Sequence, residues 1–381
     1  MTTPIKEHLA APGPVAVPPA VLEAIARPVV HHRTDTFAQT LNEARAVLAE
    51  LLGVQDEGVA ILTGNGTAAF EAAFLASVPS GATVLSVHAG KFGARWAKLA
   101  RVHGHEVIDV TAPWGRVVPP EAIADALAAN PGVQAVTLVH SETSTGVLHD
   151  LEAQAAAVHA AAPDAILLVD AVTSLAVSEL RPEAWHLDAV VAGSQKGVML
   201  PPGLGFAWLS ERVRAKPVSP RRTLAFDVHA ELTAQAKGAT ATTPAVGLVA
   251  GLVAARPYLL EGGVEALWRR RATLNEALLA AGTAAGCTPF AERPSPAVAA
   301  LRVPDSIAAP DVVHALAARG VRIAGGQDDA KPFLIRPSLL GHADAYDALG
   351  LVGMLELALR DAGLDVPAGV AVAAAMTVLE S

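Results

Sequence analysis

The sequence has one cysteine, Cys287, in 381 residues. No intramolecular disulfide can form, and zinc sites built from paired cysteines are excluded. A reducing, cytoplasmic setting fits that usage. Charge is scarce as well: 17% of residues are Asp, Glu, Lys or Arg, against 52% hydrophobic. That balance excludes intrinsic disorder over most of the chain. A basic excess is missing, since 28 Lys and Arg face 37 Asp and Glu for a net charge of -9. A nucleic-acid binder would carry an obvious basic surface, so that class is set aside. No run reaches the roughly 18 apolar residues of a membrane helix. Alanine, a helix former, swells the apolar total. Lys6, Glu7 and His8 stand where a signal peptide needs an apolar stretch. Gly369 to Leu379 is apolar but too short to span. A soluble protein without a membrane partner is expected. His-Glu-x-x-His is absent, and the adjacent His31 and His32 are expected to point apart, so no metal site is expected.

The chain has instead a repeated alternation. Short apolar runs, Val59 to Leu62, Val84 to Val87, Ala135 to Val139, Ile166 to Val169 and Ala189 to Ala192, read as strands buried on both faces. Between them lie helical stretches, Thr67 to Ser77, Pro120 to Asn130 and Leu151 to Ala161, each closed by Pro, Gly or Asp turn chemistry. This order predicts an α/β domain with a mainly parallel sheet. The texture changes near residue 255. Glu261 to Ala285 reads as a long helix whose Arg269-Arg270-Arg271 run is expected on a solvated face. A proline-rich connection, strand-like Ala297 to Val303 and Phe333 to Arg336, and helices Pro310 to Arg319 and Ala343 to Ala362 complete a smaller α+β region. The expected division is a large domain over 16–255 and a small one over 256–381 that includes residues 1–15.

Three segments can carry chemistry. Thr63-Gly64-Asn65-Gly66-Thr67 joins a strand to a helix and would turn backbone N–H groups toward an anion such as phosphate. It lacks the lysine of a P-loop and the third glycine of a dinucleotide fingerprint, and a plain strand-to-helix turn reads the same way. Asp170 ends a buried strand, at the edge of an open α/β sheet where ligands bind; a turn or cap residue is the ordinary alternative. Lys196, in Gly193-Ser194-Gln195-Lys196-Gly197, follows a strand among small residues and precedes Pro201-Pro202-Gly203. A lone lysine usually snorkels to solvent. Desolvated here, its amine would lose its proton more easily and become a nucleophile. Together the three are the parts that hold pyridoxal phosphate: a phosphate anchor, an acid for the pyridine nitrogen, and a Schiff-base lysine.

At this point the sequence resembles fold-type I pyridoxal-phosphate enzymes, specifically class V aminotransferases of the serine–pyruvate and alanine–glyoxylate group. The resemblance runs from about Ala11 to Arg360. It is carried by Ala11 to Pro14, Thr63 to Thr67, His140 to Gly146, Leu168 to Leu175, Gly193 to Lys196 with Pro201 to Gly203, and Arg336 to Gly341. It implies a large domain with a mainly parallel, seven-stranded-type sheet and a smaller α+β domain. Lys196 would be the Schiff-base lysine and Asp170 the partner of the ring nitrogen. Val172 would pack on one ring face and Phe92, where relatives place Trp, on the other. Asn65, Gly66, Thr67 and Gln195 match phosphate-binding positions, and Thr143 matches a hydroxyl near the ring oxygen. Thr243 matches a threonine that reaches the phosphate of the neighbouring subunit, which implies a homodimer with shared active sites. Thr240 falls where the relatives have a phosphate-binding Tyr. Arg336 matches the arginine that binds the substrate α-carboxylate, a role suited to paired parallel donors, and Gly13 would line the same pocket.

The resemblance implies ping-pong transamination between alanine or serine and glyoxylate or pyruvate. Family members that use aspartate or 2-aminoethylphosphonate share much of the pattern. No second arginine for a distal carboxylate stands out, with Arg33, Arg221 and Arg222 as the remaining candidates. A cysteine desulfurase would need a nucleophilic cysteine on an active-site loop, and Cys287 lies far from every motif.

Overall fold

The computed structural model describes residues 6–216 and 223–380. Arg221 and Arg222 lie outside the described residues. Seven strands form the main sheet: β1 (Val59–Thr63), β2 (Thr83–His88), β3 (Glu106–Thr111), β4 (Val133–Val139), β5 (Ile166–Asp170), β6 (Ala189–Gly193) and β7 (Leu204–Leu209). Their order is β1-β7-β6-β5-β4-β2-β3. Strand β7 runs antiparallel to both neighbours, and the other pairs are parallel.

The apolar runs work as expected for a sheet covered on both sides. Side chains alternate across a strand, so Ile61, Leu167, Val169 and Val190 join one buried cluster. Leu62, Leu168, Ala189 and Val191 join the other. Helices Asp35–Leu52, Pro120–Ala129, Leu151–Ala161 and Val246–Leu260 supply the first face, and Gly66–Ser77 with Lys91–Val102 the second. Two strands escaped the sequence reading. β3 is the sheet edge, and its E-V-I-D-V-T pattern is half exposed rather than a continuous apolar run. β7 is wholly buried but begins right after the Pro-Pro-Gly turn, whose chemistry masks it.

A four-stranded antiparallel sheet follows: β8 (Thr288–Pro289), β9 (Leu301–Arg302), β10 (Ala324–Gly325) and β11 (Leu334–Arg336), in the order β8-β9-β11-β10. Only Leu301–Arg302 of the Ala297–Val303 stretch is strand. Helices Val264–Ala284, Ala309–Ala318, Ala345–Asp361 and Val370–Leu379 enclose a separate buried cluster beside it. His8–Leu9 pairs in parallel with Val321–Arg322. Among the described residues no helix is long and apolar enough to cross a membrane.

The Arg269–Arg271 run is not uniformly solvated. Arg269 and Arg270 are exposed, but Arg271 is 1% exposed and donates to Leu339 O at 3.0 Å and Gly341 O at 2.6 Å. The reason is helical rotation: Leu267, Arg271, Leu274 and Leu278 share the buried face at three- and four-residue spacing.

Candidate active site

Neighbouring parallel strands β5 and β6 end together, and the residues that leave them form the floor of a cavity of about 580 Å³. In an open α/β sheet this C-terminal edge is where ligands bind. Asp170 is the last residue of β5, and its Oδ1 accepts from Val172 N at 2.8 Å. Burial pushes its carboxyl up to about 6, and the negative charge of Glu142 pushes the same way; the Val172 bond and Lys196 pull against them. Lys196 leaves β6 after a tight turn, and its Nζ donates to Pro12 O at 2.6 Å. Burial brings the amine down to about 8; Asp170 resists, while Arg336 and Arg95 add to the fall. The floor thus pairs an acid that holds its proton too long with an amine that gives it up early.

The rim of the floor is the start of the Gly66–Ser77 helix. Asn65 caps it, with Oδ1 accepting from Ala68 N at 3.1 Å. The N–H groups of Gly66 and Thr67 precede the first intrahelical bond, and both residues line the cavity. Helix dipole and free N–H groups together make that end a seat for an anion. Two glycines permit the arrangement. A Cβ on Gly66 would meet Val172 Cγ2 at 2.8 Å, and one on Gly205 of β7 would meet Asn65 O at 2.7 Å. Gln195 lies beside this end, and its buried Oε1 has no partner among the described residues.

Val172 and Phe92 face the cavity as apolar walls, and the Arg95 guanidinium lies 5.0 Å from the Phe92 ring centre. Thr143 also lines it. Thr173 Oγ1 donates to Ser141 O at 3.0 Å, so Thr143 is the donor in its 2.8 Å bond to Thr173. Thr143 therefore keeps its lone pairs for a cavity donor.

The structure brings Lys196, Asp170, Asn65, Gly66, Thr67, Phe92, Thr143, Val172 and Gln195 to one cavity wall. Gly13 touches it from behind: a Cβ there would come within 2.5 Å of Lys196 Nζ, so only glycine leaves room for the lysine. Arg336 stands at the end of β11 and is 5% exposed. Its Nε donates to Gly325 O at 2.8 Å and its Nη1 to Thr143 O at 2.7 Å, which fixes the plane of the guanidinium beside the cavity. Burial lowers its affinity for a proton to a pKa of about 10, offset in part by Glu142. Thr243 does not join the others. It lines a second cavity, also about 580 Å³, with Val29, Val30, His31 and His32. There His31 and His32 do not point apart: their rings stack at 4.9 Å, because the chain turns at His31 and its carbonyl accepts from Thr34.

Sequence reasoning assigned no role to Glu142, Ser144 or Arg95. Arg95 and Lys98 line the cavity one turn apart on the Phe92 helix. Glu142 is fully buried and accepts from backbone N–H groups at the start of that helix. One signal was available: the helix opens at Gly90-Lys91 with no Ser, Thr, Asp or Asn to cap it, so its cap has to come from elsewhere.

The donor set suits a flat ring carrying an acidic group at one end. N–H groups wait at the helix start beside the Gln195 carboxamide, whose NH2 end is the one able to donate to an anion; an acid and two apolar walls surround the middle, and an amine completes the floor. Residues 15–342 match the family model described as Aminotransferase class-V. The chain is 33% identical to the L-aspartate–glyoxylate aminotransferase of Paracoccus denitrificans, over 96% of this chain and 94% of that one. It is 31% identical to the serine–glyoxylate aminotransferase of Methylorubrum extorquens, over 99% and 96%. Among solved structures, a subgroup IV aspartate aminotransferase from Thermus thermophilus superposes with a TM-score of 0.88 at 40% identity, covering 93% of this chain and all of its own (100%).

Proposed function

From the premise that the chain belongs to the class-V aminotransferases, pyridoxal-phosphate enzymes, we propose that it moves an amino group from alanine or serine to glyoxylate or pyruvate in a ping-pong cycle. Bound in the cavity, pyridoxal phosphate supplies a carbonyl for the incoming amine and an electron-withdrawing ring for the electron pair released at the substrate Cα. The protein supplies the rest. The N–H groups of Gly66 and Thr67, with Asn65 and Gln195, hold the phosphate. Asp170 accepts from the pyridine N–H and keeps that proton in place. Phe92 and Val172 hold the ring flat between them, and Thr143 faces its oxygen. Lys196, its amine partly neutral near physiological pH, would take the proton from the substrate Cα and deliver it to the cofactor carbon that receives the amino group. Arg336 has committed two of its donors to backbone carbonyls, and it presents the remaining ones to the substrate α-carboxylate.

The observation that carries this reading is the meeting of Lys196 and Asp170 at adjacent parallel strand ends, with a free helix start on the rim of the same cavity. A donor panel tests it: alanine or serine should convert the bound cofactor to its amine form, and glyoxylate or pyruvate should restore it. Aspartate is the second reading, favoured by two of the relatives named above; conversion by aspartate alone would select it. Cys287 sits in the buried cluster beside the small sheet, its thiol pushed by burial up to about 11, and offers no nucleophile to the cavity.

The same proposal covers the assembly. Thr243 is exposed on a cavity rimmed by Val29, 78% exposed, and Val30, 39% exposed. A second copy seated there would cover the apolar rim and carry Thr243 toward its own phosphate, giving a cytoplasmic homodimer with shared sites. The division into 16–255 and 256–381 with 1–15 belongs here too. The Val246–Leu260 helix runs across residue 255, which supports drawing the boundary a few residues later, at the Gly262–Gly263 turn.

A further inference from the structure

The Lys91–Val102 helix carries Phe92 but has no cap of its own, because its N-cap residue is Gly90. Its first N–H groups are satisfied from a distant part of the chain. The buried Glu142 carboxylate accepts from Phe92 N at 3.1 Å and from Gly93 N at 2.9 Å. Ser144 Oγ accepts from Lys91 N at 3.0 Å and donates to Glu142 Oε1 at 2.5 Å, and Ser144 N adds a donor at 3.1 Å. Between these two residues, the Thr143 carbonyl accepts from Arg336 Nη1 at 2.7 Å. Gly90 has to be bare for the contact to form: a Cβ built there meets Glu142 Cγ and Ser144 Oγ at 2.5 Å each.

A buried carboxylate is costly unless its hydrogen bonds are filled. A serine or aspartate at position 90 would cap the helix locally without that cost. What the distant cap adds is a rigid link, since one tripeptide holds both the helix of Phe92 and the guanidinium of Arg336. We infer that Glu142 is a positioning residue that sets the distance between the ring platform Phe92 and the carboxylate anchor Arg336. This rests on the roles proposed above for those two residues.

Glu142→Gln keeps the shape but turns one acceptor oxygen into a donor facing N–H groups. Gly90→Ala pushes on the same carboxylate from the other side. Each should raise KM for donor and oxo acid, and the Kd of the cofactor read by fluorescence titration, by about tenfold or more, with kcat falling less. The double variant should be no worse than the poorer single one, because both break one link. Additive losses, or a lower Tm with unchanged KM and cofactor Kd, would overturn the inference. If Glu142→Gln does not fold, Ser144→Ala leaves the carboxylate bonded to the helix and should raise the same constants about threefold; no change there also overturns it. Phe92→Leu and Arg336→Lys run in parallel separate the two levels. If they bind normally, the site reading itself fails; if they are impaired and Glu142→Gln is not, only the link fails.

Discussion

Two cavities of the same volume, about 580 Å³, open on this chain, and they differ in everything but size. The first sits at the ends of β5 and β6, where Lys196 and Asp170 are both driven by burial away from their ordinary titration, in opposite directions. The second, around Thr243, is walled by Ile25, Val29, Val30, Val246 and Leu248, with much of that apolar surface exposed. One is a pocket whose polar groups converge; the other is an open, largely apolar surface. Volume does not mark a site, whereas titratable groups meeting on a buried floor do.

The comparison breaks most sharply at the floor of the first cavity. Lys196→Ala should cost about a thousandfold or more in kcat, the range for a lost proton-transfer group, and Thr243→Ala should leave kcat within about threefold. Steady-state rates at saturating cofactor decide it; equal losses would make the two cavities one functional unit. Next is Arg336→Lys. An ammonium cannot reproduce a planar fork held by Gly325 O and Thr143 O, so kcat/KM should fall about ten- to a hundredfold, mostly through KM. An unchanged value would reject bidentate carboxylate binding.

A smaller effect sharpens the electrostatic half. The Lys196 amine is neutral above about 8 rather than above its ordinary 10.5. The rate at which the apo-protein captures pyridoxal phosphate should therefore rise with pH and level off near 8; a rise that continues toward 10.5 contradicts it. The sign for stability is the same. Between those two values the unfolded chain binds more protons at this group, so the folded state gains stability as pH rises through the window. The smallest effect belongs to the second cavity. Thr243→Ala should weaken cofactor retention about threefold to tenfold in dialysis, the scale of one hydrogen bond, with the dimer intact by light scattering. Monomeric wild-type protein with full activity would remove the second cavity from the mechanism.

The contrast also explains what was legible in the sequence. Continuous apolar runs identified five of the sheet strands because a strand buried on both faces has no polar face to interrupt it. β3, an edge strand with polar alternation, gave no such signal. Asp170, Lys196 and the Gly66 turn were legible because each sits where a strand stops, and a strand's end can be seen locally. Arg271 was misread because three consecutive arginines look like one surface, although each residue turns a helix by a large angle and the third faces inward. Glu142 gave no signal in its own segment; the one hint was the uncapped helix start at Gly90-Lys91, far away in the sequence. Its bonds to Phe92 and Gly93 join residues far apart in the chain, and only the sheet order that sets β4 beside β2 brings them together.

The central claim is that Lys196 is the residue that bonds the cofactor. Protein incubated with pyridoxal phosphate, reduced with borohydride and digested should yield one modified peptide, the one containing Lys196, with the cofactor mass on that side chain. Modification at another lysine, or none in a protein that still transaminates, would contradict the account.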